Sequence, residues 1–151
     1  MAEQCPDPKH EFKELFSSTS RGAHLARVSA TQRLAEWGYV TDIAALIVSE
    51  LAANAATHCL AAHRDFLLRL AVHAHSPALL RIEVSDACGE ARPKPRHPTG
   101  DAESGRGLLL VGAMAIAWGV GERTPGKTVW AQVLLEPAAD LDQGRREPGL
   151  T

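Results

Sequence analysis

Two consecutive runs, residues 65–75 and 78–86, alternate between apolar and polar side chains. Phe66, Leu68, Leu70 and Val72 share one phase of the first run; Leu80, Ile82 and Val84 share one phase of the second. A period of two places each set on one face of a strand. His75–Pro77 supplies the turn that joins the runs as a hairpin. Strands of this kind form an antiparallel sheet with one covered and one wet face. Two further strands are expected: a short one over His10–Ser18 and a last one over Gly126–Leu135, with Val129, Ala131, Val133 and Leu135 on its apolar side.

The cover is expected from helices. Residues 21–37 carry Leu25, Val28, Leu34 and Trp37 at helical spacing, and Gly38 stands where the helix should stop. Thr41 or Asp42 can N-cap a second helix reaching about Cys59, with Ile43, Ile47, Leu51 and Ala55 as its apolar stripe. A third apolar helix is expected from Leu108 to about Ala117, opened by Gly105-Arg106-Gly107. The sequence therefore predicts an α+β domain, a two-layer sandwich whose mixed, mainly antiparallel sheet carries helices on one face. The domain is expected over residues 10–136, between flexible tails at 1–9 and 137–151.

Composition narrows the function. The chain has 151 residues, 45% hydrophobic and 23% charged, which suits one ordinary globular domain. Sixteen basic residues stand against 18 acidic ones, for a net charge of −2. Direct nucleic-acid binding is not expected of a chain with no basic excess or stripe. No apolar run approaches the ~20 residues that span a bilayer, and the start lacks the regions of a secretion signal, so a cytoplasmic location without membrane contact is expected. Cys5, Cys59 and Cys88 form no C-x-x-C pair and read as free thiols. His73 and His75 would share a strand face, but no further ligands follow at a zinc-like spacing.

Three features resist a purely structural explanation. At ~100° per residue, Glu50, Asn54 and His58 fall in or beside the apolar sector of the second helix. An inward carboxylate and amide are costly unless something binds them. Asp86 keeps the phase of Leu80, Ile82 and Val84, so it too should point inward. Finally, the glycines before Leu108 would expose backbone N–H groups at the positive end of a helix dipole, where phosphate can approach without a Cβ in the way. Residues 88–104, rich in Pro and Gly, form a connection of about 17 residues, the length of a functional lid or a disordered loop.

Chemically, Asn54 can give an oxygen to Mg²⁺, which takes its other ligands from water and substrate phosphates. Asp86 can accept a hydrogen bond from an exocyclic amine, and Glu50, one turn from Asn54, can orient or deprotonate a nucleophile. Each feature also has a plain reading: a helix-entry turn, a turn or cap aspartate, a locally bonded polar pair.

The segment L-I-V-S-E-L-A-A-N-A-A-T-H resembles the N box of the GHKL (Bergerat-fold) ATPases. V-S-D-A-C-G resembles their G1 box, with a single glycine, Gly89, where the family pattern has two, and G-R-G-L-L-L-V resembles the G2 box. W-G-V-G-E-R-T-P-G-K-T-V-W is similar to the closing segment of small actinobacterial ATP-binding regulators related to the anti-sigma-factor serine kinases. The resemblance covers most of residues 10–136. It implies ATP between helices and sheet under a lid at 88–104, with Asn54 holding Mg²⁺ and Glu50 as catalytic base. It further implies Asp86 reading the adenine amine, with Gly89, Gly105, Arg106, Gly107, Leu108 and Thr128 as the other nucleotide contacts. His58 follows the N box as it often does in this family. Lys127 stands where many relatives carry Thr.

At this length neither the dimerisation helices of a sensor kinase nor the transducer domain of gyrase-type members is expected. The resemblance thus implies a serine/threonine kinase that phosphorylates an anti-anti-sigma (STAS-type) protein and can sequester a sigma factor, with homodimerisation as in relatives. The shortened G1 box leaves a second expectation open, a nucleotide-binding module that only sequesters partners. A third is a polar stripe satisfied by internal hydrogen bonds, with no ligand.

Overall fold

The computed structural model describes residues 7–58, 65–73, 77–86, 109–122 and 126–138. The expected lid, both tails for the most part, the three cysteines, His75, Gly89, Gly105, Arg106, Gly107 and Leu108 lie outside the described residues. Strand β1 (His10–Ser17) leads into helices α1 (Ser20–Glu36) and α2 (Asp42–His58). Strands β2 (Asp65–His73), β3 (Leu79–Asp86), β4 (Ala117–Glu122) and β5 (Lys127–Leu134) follow. The sheet order is β1-β2-β3-β5-β4, and every pairing among the described strands is antiparallel.

The alternation read from the sequence fixes which face is covered. Phe66, Leu68, Leu70 and Val72 of β2, Leu80, Ile82 and Val84 of β3, and Val129, Ala131 and Val133 of β5 are all buried. Against them lie Ile47, Val48, Leu51, Ala52 and Ala55 of α2 and Ala26, Ala30 and Leu34 of α1, in one continuous core. Each large aliphatic or aromatic side chain so buried contributes about 1.5–3 kcal/mol.

Helix α1 is bounded by two local devices. Thr19, in extended conformation, accepts the Gly22 N–H on its hydroxyl at 3.0 Å, capping the start. At the other end Gly38 takes φ 91°. Its N–H reaches the Ala35 carbonyl while the Tyr39 N–H reaches that of Leu34, both at 3.0 Å, which is a Schellman closure. The expected stop at Gly38 is thus made by its left-handed backbone.

The inner faces of the helices differ from the expected stripes. Leu25 and Val28 are exposed, and α1 buries Gly22, Ala26, Ala30 and Leu34 instead. Small residues four apart let α1 lie close to its neighbours; a Cβ on Gly22 would overlap the Ser17 carbonyl oxygen. On α2, Ile47, Leu51 and Ala55 are buried as expected, while Ile43 in the first turn is 50% exposed. Helical structure is present over 109–114 but does not reach Ala117, where β4 begins instead. Among the described strands β4 pairs with β5 alone, and Gly119 makes room for a neighbour: a Cβ there would come within 2.9 Å of the Trp130 indole.

Candidate functional site

Of the inward polar residues expected on α2, Asn54 and Glu50 sit where the sequence places them, while the His58 side chain lies outside the described residues. Asn54 is only 8% exposed. Its Nδ2 is buried with no hydrogen-bond partner. Glu50, one turn earlier on the same face, is half-buried. A buried donor without an acceptor costs about 1–3 kcal/mol. An amide also presents either its nitrogen or its oxygen when turned end for end. At this position it therefore suits a phosphate or metal-bound water in one orientation and a divalent cation in the other.

The second group lies at one end of the sheet. Asp86 ends β3, Lys127 opens β5, and the two are paired directly across the strands. Both share the phase of the buried apolar residues, so they face the helix layer, at 4% and 6% exposure. Lys127 Nζ lies 3.3 Å from Asp86 Oδ2. Charges so far from water are tolerated only with partners, and each of these two is a partner of the other.

One register position along, on the opposite face, Ser85 Oγ and Thr128 Oγ1 are hydrogen-bonded at 2.7 Å. The alternation of β5 therefore turns the Thr128 side chain away from the helix layer, and Lys127 occupies the place beside Asp86. Lys127 was detectable in the sequence. It keeps step with Val129, Ala131 and Val133, which makes it a second inward charge opposite Asp86.

Among the described residues no three His, Cys, Asp or Glu side chains cluster to hold a metal. Also among the described residues, no helix is long and apolar enough to cross a membrane.

The sequence profile of the histidine kinase-like ATPase domain matches residues 16–133, nearly the whole span from β1 to β5. The chain belongs to this family, the GHKL or Bergerat-fold ATPases, and its antiparallel sheet with helices on one face is their fold. No curated protein matches the sequence. Among solved structures, the crystal structure of the RsbU and RsbW domains of Rv1364c from Mycobacterium tuberculosis superposes with a TM-score of 0.58 at 22% identity. The match covers 87% of this chain and 34% of that one, so this chain spans about a third of that protein's length.

Proposed function

We propose that the protein is an ATP-dependent serine/threonine kinase acting as a partner-switching regulator. In this reading it phosphorylates a small anti-anti-sigma (STAS-type) protein and can also sequester a sigma factor. The observation that carries the reading is Asn54: a buried amide with an unpaired donor, one turn from the half-buried Glu50, on a helix of the histidine kinase-like ATPase fold. Membership in an ATPase family and the fold shared with a chain that contains an RsbW domain support it.

The roles follow from the chemistry of each group. Mg²⁺ held by Asn54 would supply charge to steady the phosphates. Asp86 would accept from the adenine amine, and Lys127 takes the adjoining position on the helix-facing side instead of Thr128. Glu50 would accept the hydroxyl proton of the partner's serine or threonine as its oxygen bonds to the γ-phosphorus and ADP leaves. The backbone of Gly105, Arg106, Gly107 and Leu108, with Gly89 at the start of the lid, would wrap the phosphates.

The test is transfer of labelled γ-phosphate to a cognate anti-anti-sigma protein. The expected result is transfer in the wild type, reduced at least a hundredfold in Glu50→Ala while nucleotide affinity is kept within a few-fold. Full transfer in Glu50→Ala would sink the mechanism. A specific observation also favours the second reading, a nucleotide-binding module that sequesters partners without modifying them. The segment resembling the G1 box carries a single glycine, Gly89. Stoichiometric partner binding with no transfer at any nucleotide concentration selects that reading.

A further inference from the structure

Strand β4 ends the sheet on the side opposite β1, and its apolar residues are left half-covered. Trp118 and Val120 face the helix side, across from Ala131 and Val129 of β5. Those two partners are buried, whereas Trp118 and Val120 are 40% and 46% exposed. At Gly112 the helical residues 109–114 abut the indole of Trp118: a Cβ there would stand 3.1 Å from its nitrogen. Among the described strands β4 pairs with β5 alone, so the other edge of its backbone faces away from the sheet. We infer that this edge is where the chain associates with a second copy of itself, β4 pairing with β4 in antiparallel register about a two-fold axis.

The backbone says that a strand covers the edge, because another extended strand satisfies a whole row of N–H and C=O groups at once. The side chains say which strand. Natural edge strands are kept from pairing by charged side chains, proline or a bulge. Strand β1, at the other end of the sheet, carries such charges: Glu11, Lys13 and Glu14 are all exposed along it. Strand β4 reads Ala-Trp-Gly-Val-Gly-Glu, with its one charge at the far end. Residues directly opposite in an antiparallel pair share a face, so a symmetric pairing must centre on a residue rather than between two. Centred on Gly119, it sets Trp118 of each copy opposite Val120 of the other, an aromatic–β-branched pair of the kind that stabilises sheets. The two Glu122 carboxylates then lie at opposite ends of the joined strands and do not face each other. On the open face Gly119 meets Gly119, the small residue that leaves room for the Trp130 indole in each copy. Such an interface is isologous and closes on two chains. Both helix layers stay on one side of the joined sheet, and the inference is independent of the nucleotide site.

The experiment is sedimentation velocity of the full chain over a concentration series, for the wild type, Val120→Lys and Leu15→Lys. The wild type is expected to pass from one chain to two as concentration rises. Val120→Lys puts an ammonium on the β4 edge and is expected to weaken association at least tenfold. Leu15→Lys, at an exposed position of β1, is expected to leave association unchanged. A wild type that stays a single chain at every concentration overturns the inference. So does a dimer that Val120→Lys leaves intact or that Leu15→Lys dissolves. Amide exchange of the wild type decides the matter even where Val120→Lys does not fold. At high concentration exchange is expected to slow within residues 117–121, and slowing confined to other strands overturns the inference.

Discussion

At the scale of single residues, the energetics concentrate on a few buried polar groups. Removing Lys127 alone would take an ion-pair partner from the Asp86 carboxylate, which is nearly inaccessible to water. Breaking a buried pair in this way typically costs about 3–5 kcal/mol. Urea unfolding of Lys127→Met is expected to show a loss of that size, whereas Asp86→Leu combined with Lys127→Met should lie close to wild type, because both charges leave together. A single variant within 1 kcal/mol of wild type would contradict the burial of the pair. Gly22 makes a second residue-scale prediction. Alanine is ordinarily better than glycine inside a helix by roughly 1 kcal/mol. Here its Cβ would meet the Ser17 backbone, so Gly22→Ala is expected to lower stability by roughly 1–3 kcal/mol in the same assay.

At the scale of elements, the face of the sheet opposite the helices is organised by charge. Arg69 of β2 bridges Glu11 of β1 at 2.7 Å and Glu83 of β3 at 3.3 Å. Arg81 meets Glu83 at 2.6 Å and covers the Trp130 ring of β5, with its guanidinium carbon 4.4 Å from the centroid. The hydrogen bond from Arg69 holds the Glu11 carboxyl below its ordinary value. A carboxylate lowered on folding contributes stability that is fully present above its unfolded pKa and is lost as pH falls through the folded one. Glu11 is partly exposed, so the contribution is small and weakened by salt. In Arg69→Met the Glu11 titration followed by NMR is expected to move upward to an ordinary carboxylate value, and an unchanged midpoint would contradict the pairing.

The elements also show where the sequence was informative. Strands β2 and β3 and helix α2 were legible because large apolar residues repeat at one period and water faces the other side. Asp86 was legible for the same reason. The inner face of α1 was not, since it is built of glycine and alanine while Leu25 and Val28 point outward. Counting large apolar residues favours the wrong side of such a helix. Strand β4 was hidden by Gly119 and Gly121, which weaken a strand signature, although Gly119 accommodates the Trp130 indole of β5. Lys127 escaped because a lysine after a turn glycine reads as a solvated loop residue until its phase is counted.

At the scale of the whole molecule, helices α1 and α2 cover one face of an antiparallel sheet, and polar residues remain in the helix–sheet layer. In most sandwiches that layer is closed by apolar side chains. Here Asn54 from the helix side and Asp86 with Lys127 from the sheet side are buried in polar form. The family match points to ATP as the ligand class of the domain, and the proposal assigns it to this arrangement. The central claim is that Asn54 marks a magnesium–nucleotide site, and thermal unfolding with and without Mg-ATP tests it most directly. A ligand at a hundred times its Kd adds about 2.7 kcal/mol, several degrees in Tm for a domain of this size. The account predicts a Mg²⁺-dependent upward shift in the wild type that is lost in Asn54→Ala. No shift in the wild type at saturating Mg-ATP, or an equal shift in Asn54→Ala, would contradict it.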